Sequence, residues 1–263
     1  MKLFPWRAPR IPVLRLHGTL SARAALNIEA IGPLIDRACK EAGKDGTLLL
    51  DIDSPGGSPV QSELIASRLR RRAEALNITL RAVIGEVGAS GGYWLACAAD
   101  EIVAHPMSVV GSIGVIGGGF GLNEAIARIG VQRRIYTAGK NKARLDPFSP
   151  ERPDDVAFTR ALLDDLHEVF KAWVRTRRGA RLTADEDTIF DGSWMLGDKA
   201  LAAGLVDRLG DLDSEVKSIG GKRARANVIR PRRRGLLGRL PRLAAETTLD
   251  VLEERLSSPR ALY

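Results

Sequence analysis

Cysteine is scarce: only Cys39 and Cys97 occur in the 263 residues. Both sit in apolar, helical-looking surroundings, which reads as two buried thiols and gives no basis for a disulfide framework or a metal site. No secretory leader is expected either. The opening MKLFPWRAPRIPVLRLHGTL has prolines and arginines where a leader needs an apolar run. The longest uncharged stretch, residues 102–123, is long enough on paper to cross a bilayer. It holds six glycines with His105, Pro106, Ser108, Ser112 and Asn123, so it reads as buried strand and glycine-rich loop. The chain is therefore expected to stay where it is made, in the cytoplasm. Nor does the body of the protein carry an excess of either charge. Of the net +8, residues 222–263 contribute 11 Lys/Arg against 4 Asp/Glu, which leaves 29 against 28 in the first 221. Nucleic acid is a poor expectation for such a body.

What is present is alternation of strand and helix. PVLRLHGTL alternates like a strand, and residues 23–42 have helical spacing despite Gly32 and Pro33. TLLLDID is a compact apolar strand, stopped by SPGGS, and PVQSELIASRLRRRAEAL is a helix with Pro59 near its start. LRAVIGEVG is a buried strand that runs into the helix GGYWLACAAD. EIVAHP and SVVGSIGVIG follow as short strands, NEAIARIG as a helix and VQRRIYTAG as a strand. Residues 154–178 form the longest helical pattern, and GSWMLGDKALAAGLVDRLGDLD closes with a short helix and a turn. This order predicts repeated βαβ units, hence a mostly parallel sheet with helices covering it. A composition break near Gly220–Gly221 divides a main domain, 1–221, from a basic tail, 222–263. In the tail, Leu243, Leu249, Leu252 and Leu256 suggest an amphipathic helix.

Two segments, DIDSPGGS and GEVGASGGY, share one design: an apolar strand, a glycine turn, then a helix. In a parallel sheet both turns emerge at the carboxyl ends of strands, where α/β sites form. Glycine lets the backbone approach a ligand and adopt angles that other residues resist. Two such turns side by side would aim two backbone N–H groups at one oxygen, which is what an oxyanion hole requires. Ser90 stands at the centre of the second turn.

SPGG after an apolar strand, ASGGY, and then GSIGVI after a further strand resemble the SppA/SohB family of serine peptidases. The similarity runs from about Pro12 to Asp213. It implies a ClpP/crotonase-like α/β spiral of repeated ββα and βαβ units, with a mostly parallel sheet and flanking helices. It also implies Ser90 as nucleophile, an oxyanion hole from Gly56 or Gly57 with Gly91, and no metal or cofactor. A serine hydroxyl needs a base, and none of His17, His105 and His167 lies in a sequence context suggestive of a triad. The family uses a lysine, and the match in YTAGKNKARLDPF places it at Lys142, with Lys140 as the near alternative. An ordinary lysine is neutral in only about one molecule in 2,500 at pH 7. Lowering its pKa by about three pH units costs about 4 kcal/mol, so the base must be taken out of water. The family pattern supplies Ser112 as the hydroxyl that orients it.

The resemblance further implies peptide substrates, signal-peptide remnants or other unfolded apolar peptides, with Tyr93, Trp94, Val115 and Ile116 as candidate pocket residues. A homo-oligomeric ring or dome is expected. The basic tail, 222–263, is a candidate for peripheral contact with an anionic membrane face or for docking a subunit. The competing reading is a crotonase-type acyl-CoA enzyme, which would use the same paired N–H groups on a thioester. It assigns no task to Ser90 or to the AGKNK segment. A non-catalytic scaffold leaves Ser90, Lys142 and Ser112 equally unexplained.

Overall fold

The computed structural model describes residues 8–231. The described residues form two compact units, residues 8–114 with 168–231, and residues 115–167. In the first, strands β1 (Arg10–His17), β2 (Thr47–Ser54) and β3 (Thr79–Ala89) alternate with helices α1 (Ile28–Ala42) and α2 (Pro59–Leu76). Helix α3 (Gly91–Ala96) and strands β4 (Glu101–Ala104) and β5 (Val109–Gly111) follow. The second unit holds α4 (Asn123–Arg128) and the start of α5 (Pro153–Arg178). The chain then returns to the first unit with α6 (Glu186–Ile189), β6 (Trp194–Leu196), α7 (Gly197–Ala202), β7 (Arg208–Leu209), α8 (Leu212–Gly220) and β8 (Arg225–Ile229).

The strands join one sheet in the order β6-β5-β3-β2-β1-β8, with β4 and β7 branching from β3. Every pairing named among the described residues is parallel except β5 with β6. The mostly parallel α/β architecture read from the sequence is the one observed. Alternation along the strands sorts the core. Leu14, Leu16, Leu48, Leu50, Ile52, Leu80, Ala82 and Ile84 enter the larger cluster, with Ile31, Ile35, Ile65 and Leu69 from α1 and α2. Val13, Leu49, Val83 and Val103 face the other way, against Val216.

Strand β3 carries the feature that matters most for the site. Its first half, Arg81–Ile84, pairs with β4, and its second half, Val87–Ala89, pairs with β5. On the β2 side the register jumps from Ile52↔Ile84 to Ser54↔Gly88. The extra residues on β3 are accommodated as in a bulge, which bends a strand. Asp53 Oδ1 accepts the Val87 N–H at 3.2 Å within this irregularity.

Three local readings differ from what formed. Helix α1 begins at Ile28 rather than at residue 23, because Asn27 caps it by accepting the Ala30 N–H. Residues 131–139, which alternate like a strand, are exposed and irregular, and no strand lies beside them among the described residues of the second unit. Residues 225–229, on the tail side of the composition break, form β8 and pair with β1. The amphipathic helix expected around residues 243–256 lies outside the described residues.

The second unit is held largely by arginine. Arg144 lies over the Phe158 ring at 4.1 Å and 3.3 Å from Asp155, which also accepts two hydrogen bonds from Arg152. Leu122 N–H donates to Pro147 O. Among the described residues of this unit no hydrophobic side chain is buried.

Candidate active site

Strands β2 and β3 end side by side, and each runs into a glycine turn and a helix. Ser58 caps α2 by accepting the Gln61 N–H, with Pro59 in its first turn. Ser90 stands just before α3 with φ 51° and ψ −124°. A positive φ is uncommon outside glycine, and such strain costs on the order of 1–3 kcal/mol. Two hydrogen bonds hold it: Ser90 N–H donates to Gly111 O at 2.8 Å, and Ser90 O accepts the Trp94 N–H at 2.9 Å.

The glycines let the two turns press together. A Cβ on Gly56 would lie 2.7 Å from both Gly91 N and Ser90 Cβ. On Gly91 it would meet Ser62 Oγ at 2.4 Å, and on Gly92 it would meet Ser54 O at 2.2 Å. The Gly56 N–H is occupied, donating to Ser54 Oγ at 3.2 Å. Leu20 braces the turn from β1: its N–H donates to Gly56 O, and its O accepts the Ser58 N–H. The Gly57 and Gly91 N–H groups donate to no acceptor among the described residues. The two glycine turns that meet at this strained serine thus each keep an unspent donor.

Ser112 follows Gly111, the residue that anchors Ser90, and itself has φ 51°. Its N–H donates to Ser193 O at 2.7 Å. The first unit therefore gathers Ser90, Gly91, Gly56, Gly57 and Ser112. Lys140 and Lys142 belong to the second unit, where both are exposed on a run of turns. Val115 and Ile116 open that same unit, with Ile116 exposed.

Tyr93 and Trp94 are core residues. The Tyr93 hydroxyl donates to Leu205 O at 2.7 Å, and burial pushes its pKa well above the ordinary phenol value. Trp94 stacks on Trp173 at 5.8 Å, tilts against Phe170 at 5.0 Å and donates its indole N–H to Glu63. Together they fix α3 behind the serine. Burial also raises the Cys97 thiol to about 12 and the Cys39 thiol to about 11, so neither is ionised near neutral pH. His17 Nε2 lies 3.0 Å from Asp51 Oδ1, and His105 Nδ1 accepts the Met107 N–H. Both histidines of the first unit are thus engaged away from Ser90.

Residues 73–224 match the family model described as Peptidase family S49. The chain belongs to that peptidase family. A Haemophilus influenzae protein described as "Probable protease SohB" is 28% identical over 240 residues, covering 91% of this chain and 66% of that one. A Buchnera aphidicola protein with the same description is 31% identical over 172 residues, covering 65% and 50%. A Brucella abortus protein described as "Na(+)/H(+) antiporter NhaA" is 41% identical over 234 residues, covering 87% of this chain. This chain spans only 31% of the Brucella protein's length. The S49 match includes Ser90, Gly91, Ser112, Lys140 and Lys142, and begins after Gly56 and Gly57.

Sequence reasoning gave no role to Leu20, Gly111 or Ser193. Leu20 follows a turn at the carboxyl end of β1, and Gly111 opens the GSIGVI motif, but neither signal shows a contact with the serine turn. Gly111 and Ser193 reach the site through strand pairing with distant parts of the S49 domain.

Among the described residues, no helix is long and apolar enough to cross a membrane.

Proposed function

We propose that the chain is a serine peptidase that cleaves peptide bonds through an acyl-enzyme on Ser90. Neutral Lys142, oriented by Ser112, takes the Ser90 proton as the oxygen attacks the scissile carbonyl. The oxyanion is held by the N–H groups of Gly57 and Gly91, since Gly56 has given its own to Ser54. Lys142 then passes the proton to the leaving amine, and water releases the acyl group. The observation that carries the reading is the strained Ser90 at the contact of two glycine turns that each keep an unspent backbone donor. Membership of S49 supports it. A thioester enzyme would use the same donors but leave the strain at Ser90 without a purpose.

Signal-peptide remnants and other unfolded apolar peptides are the proposed substrates. The proposed site is the cytoplasmic side of a membrane, contacted by the basic segment from residue 222 on. The deciding experiment labels the purified chain with a fluorophosphonate across pH and maps the adduct. Modification at Ser90 is expected, together with peptide cleavage that drops by at least about 100-fold in Ser90→Ala and in Lys142→Ala. Cleavage unchanged in either variant overturns the dyad, and labelling that persists in Lys142→Ala moves the base to another residue.

A further inference from the structure

The core takes Tyr93 and Trp94, so the side chain that reads the substrate has to come from elsewhere. β5 is bonded to the serine turn through Ser90 N–H and Gly111 O, and Gly111 pairs with Trp194 on β6. Trp194 thus lies two strand spacings from Ser90, about 10 Å. An extended peptide advances about 3.4 Å per residue, so that distance corresponds to about three residues of substrate.

Trp194 is also unspent. It is 69% exposed, while its neighbour Met195 turns inward against the core. No ring stacking or hydrogen bond from its indole is found among the described residues. Leu196, two residues on and therefore on the same face, is 42% exposed. β6 is the last strand on this side of the sheet among the described residues. The strand is held firmly for its length. Asp191 accepts both the Ser193 N–H and the Ser193 hydroxyl, and Ser193 O accepts from Ser112. A rigid indole with a free face is a good receptor for a large apolar side chain.

We propose that Trp194 determines specificity, by packing on an apolar substrate side chain about three residues from the scissile bond. This rests on Ser90 being the nucleophile.

The test uses full-length Trp194→Ala and Trp194→Phe with quenched-fluorescence peptides. Each peptide carries leucine or serine at one of the three positions on either side of the cleaved bond. Trp194→Ala is expected to lower kcat/KM about tenfold, mainly through KM, for peptides with leucine at the distant position. Serine-substituted peptides and the rate of fluorophosphonate labelling should change by less than about twofold, and Trp194→Phe should restore most of the preference. Equal loss on every peptide, or slowed labelling, reveals a purely structural role and overturns the inference. Unchanged preference with normal labelling overturns it alone. A wild-type chain that labels somewhere other than Ser90 removes the nucleophile reading and this inference together.

Discussion

At the scale of single residues, the firmest polar anchor is the pair Arg178–Asp207. Arg178 is almost fully buried, and it donates to both Asp207 oxygens at 2.8 and 2.9 Å and to Gly204 O. Burial works against the Asp207 charge, but the hydrogen bonds from Arg178 and the Ile102 N–H outweigh it and hold its pKa below the usual carboxylate range. The folded carboxyl thus binds its proton more weakly than the unfolded one. The contribution is fully present above about pH 3.9 and is lost as the pH falls through the lower folded value. Asp207→Asn should flatten the acid limb of a Tm-against-pH curve and cost about 3 kcal/mol or more at neutral pH, because Arg178 keeps a buried charge without its partner. Thermal melts across pH check both. Neither residue stands out in the sequence, since their meeting depends on α5 packing beside the turn that follows α7. Ser90, by contrast, was legible, because a serine between glycines at a strand–helix junction is a local signal.

At the scale of elements, contact between the turns after β2 and β3 leaves no room for a side chain. Gly92→Ala would bring a Cβ within 2.2 Å of Ser54 O, a backbone atom that has no rotamer by which to yield. Its expected loss is about 3 kcal/mol or outright failure to fold. Gly118→Ala, whose Cβ meets nothing within 4 Å, should stay within about 0.5 kcal/mol. Urea denaturation of the two variants measures the contrast. Strands β1 to β3 and helix α2 were readable because their apolar periodicity and caps are local. Residues 131–139 show the limit of that signal. Alternation supplies one side of a ladder, and pairing depends on a neighbour that the described residues of this unit do not provide. The split of β3 between β4 and β5 was hidden for the same reason, since it is a relation among three segments.

At the scale of the whole molecule, the two units are built differently. The first has a dense core, whereas the second exposes Ile116, Phe120, Ile129, Val131 and Tyr136 and buries no hydrophobic side chain among its described residues. We propose that these apolar side chains are covered in an assembly. Copies of the chain are their proposed cover, in keeping with the ring or dome expected of the family. Sedimentation velocity on the full chain should show an oligomer, and Ile116→Asp with Tyr136→Asp should shift it to smaller species; a wild-type monomer at micromolar concentration refutes the assembly. The sheet itself has a consequence for how the protein comes to life. Strand β1, near the start of the chain, is flanked by β8, close to the last described residue, and the serine turn leans on β5, whose other neighbour is β6. While a ribosome is still making residue 190, two of these supports do not yet exist. A nascent copy therefore carries Ser90, the proposed nucleophile, in an unfinished sheet, and the fold by itself delays any cutting until β6 and β8 have been made.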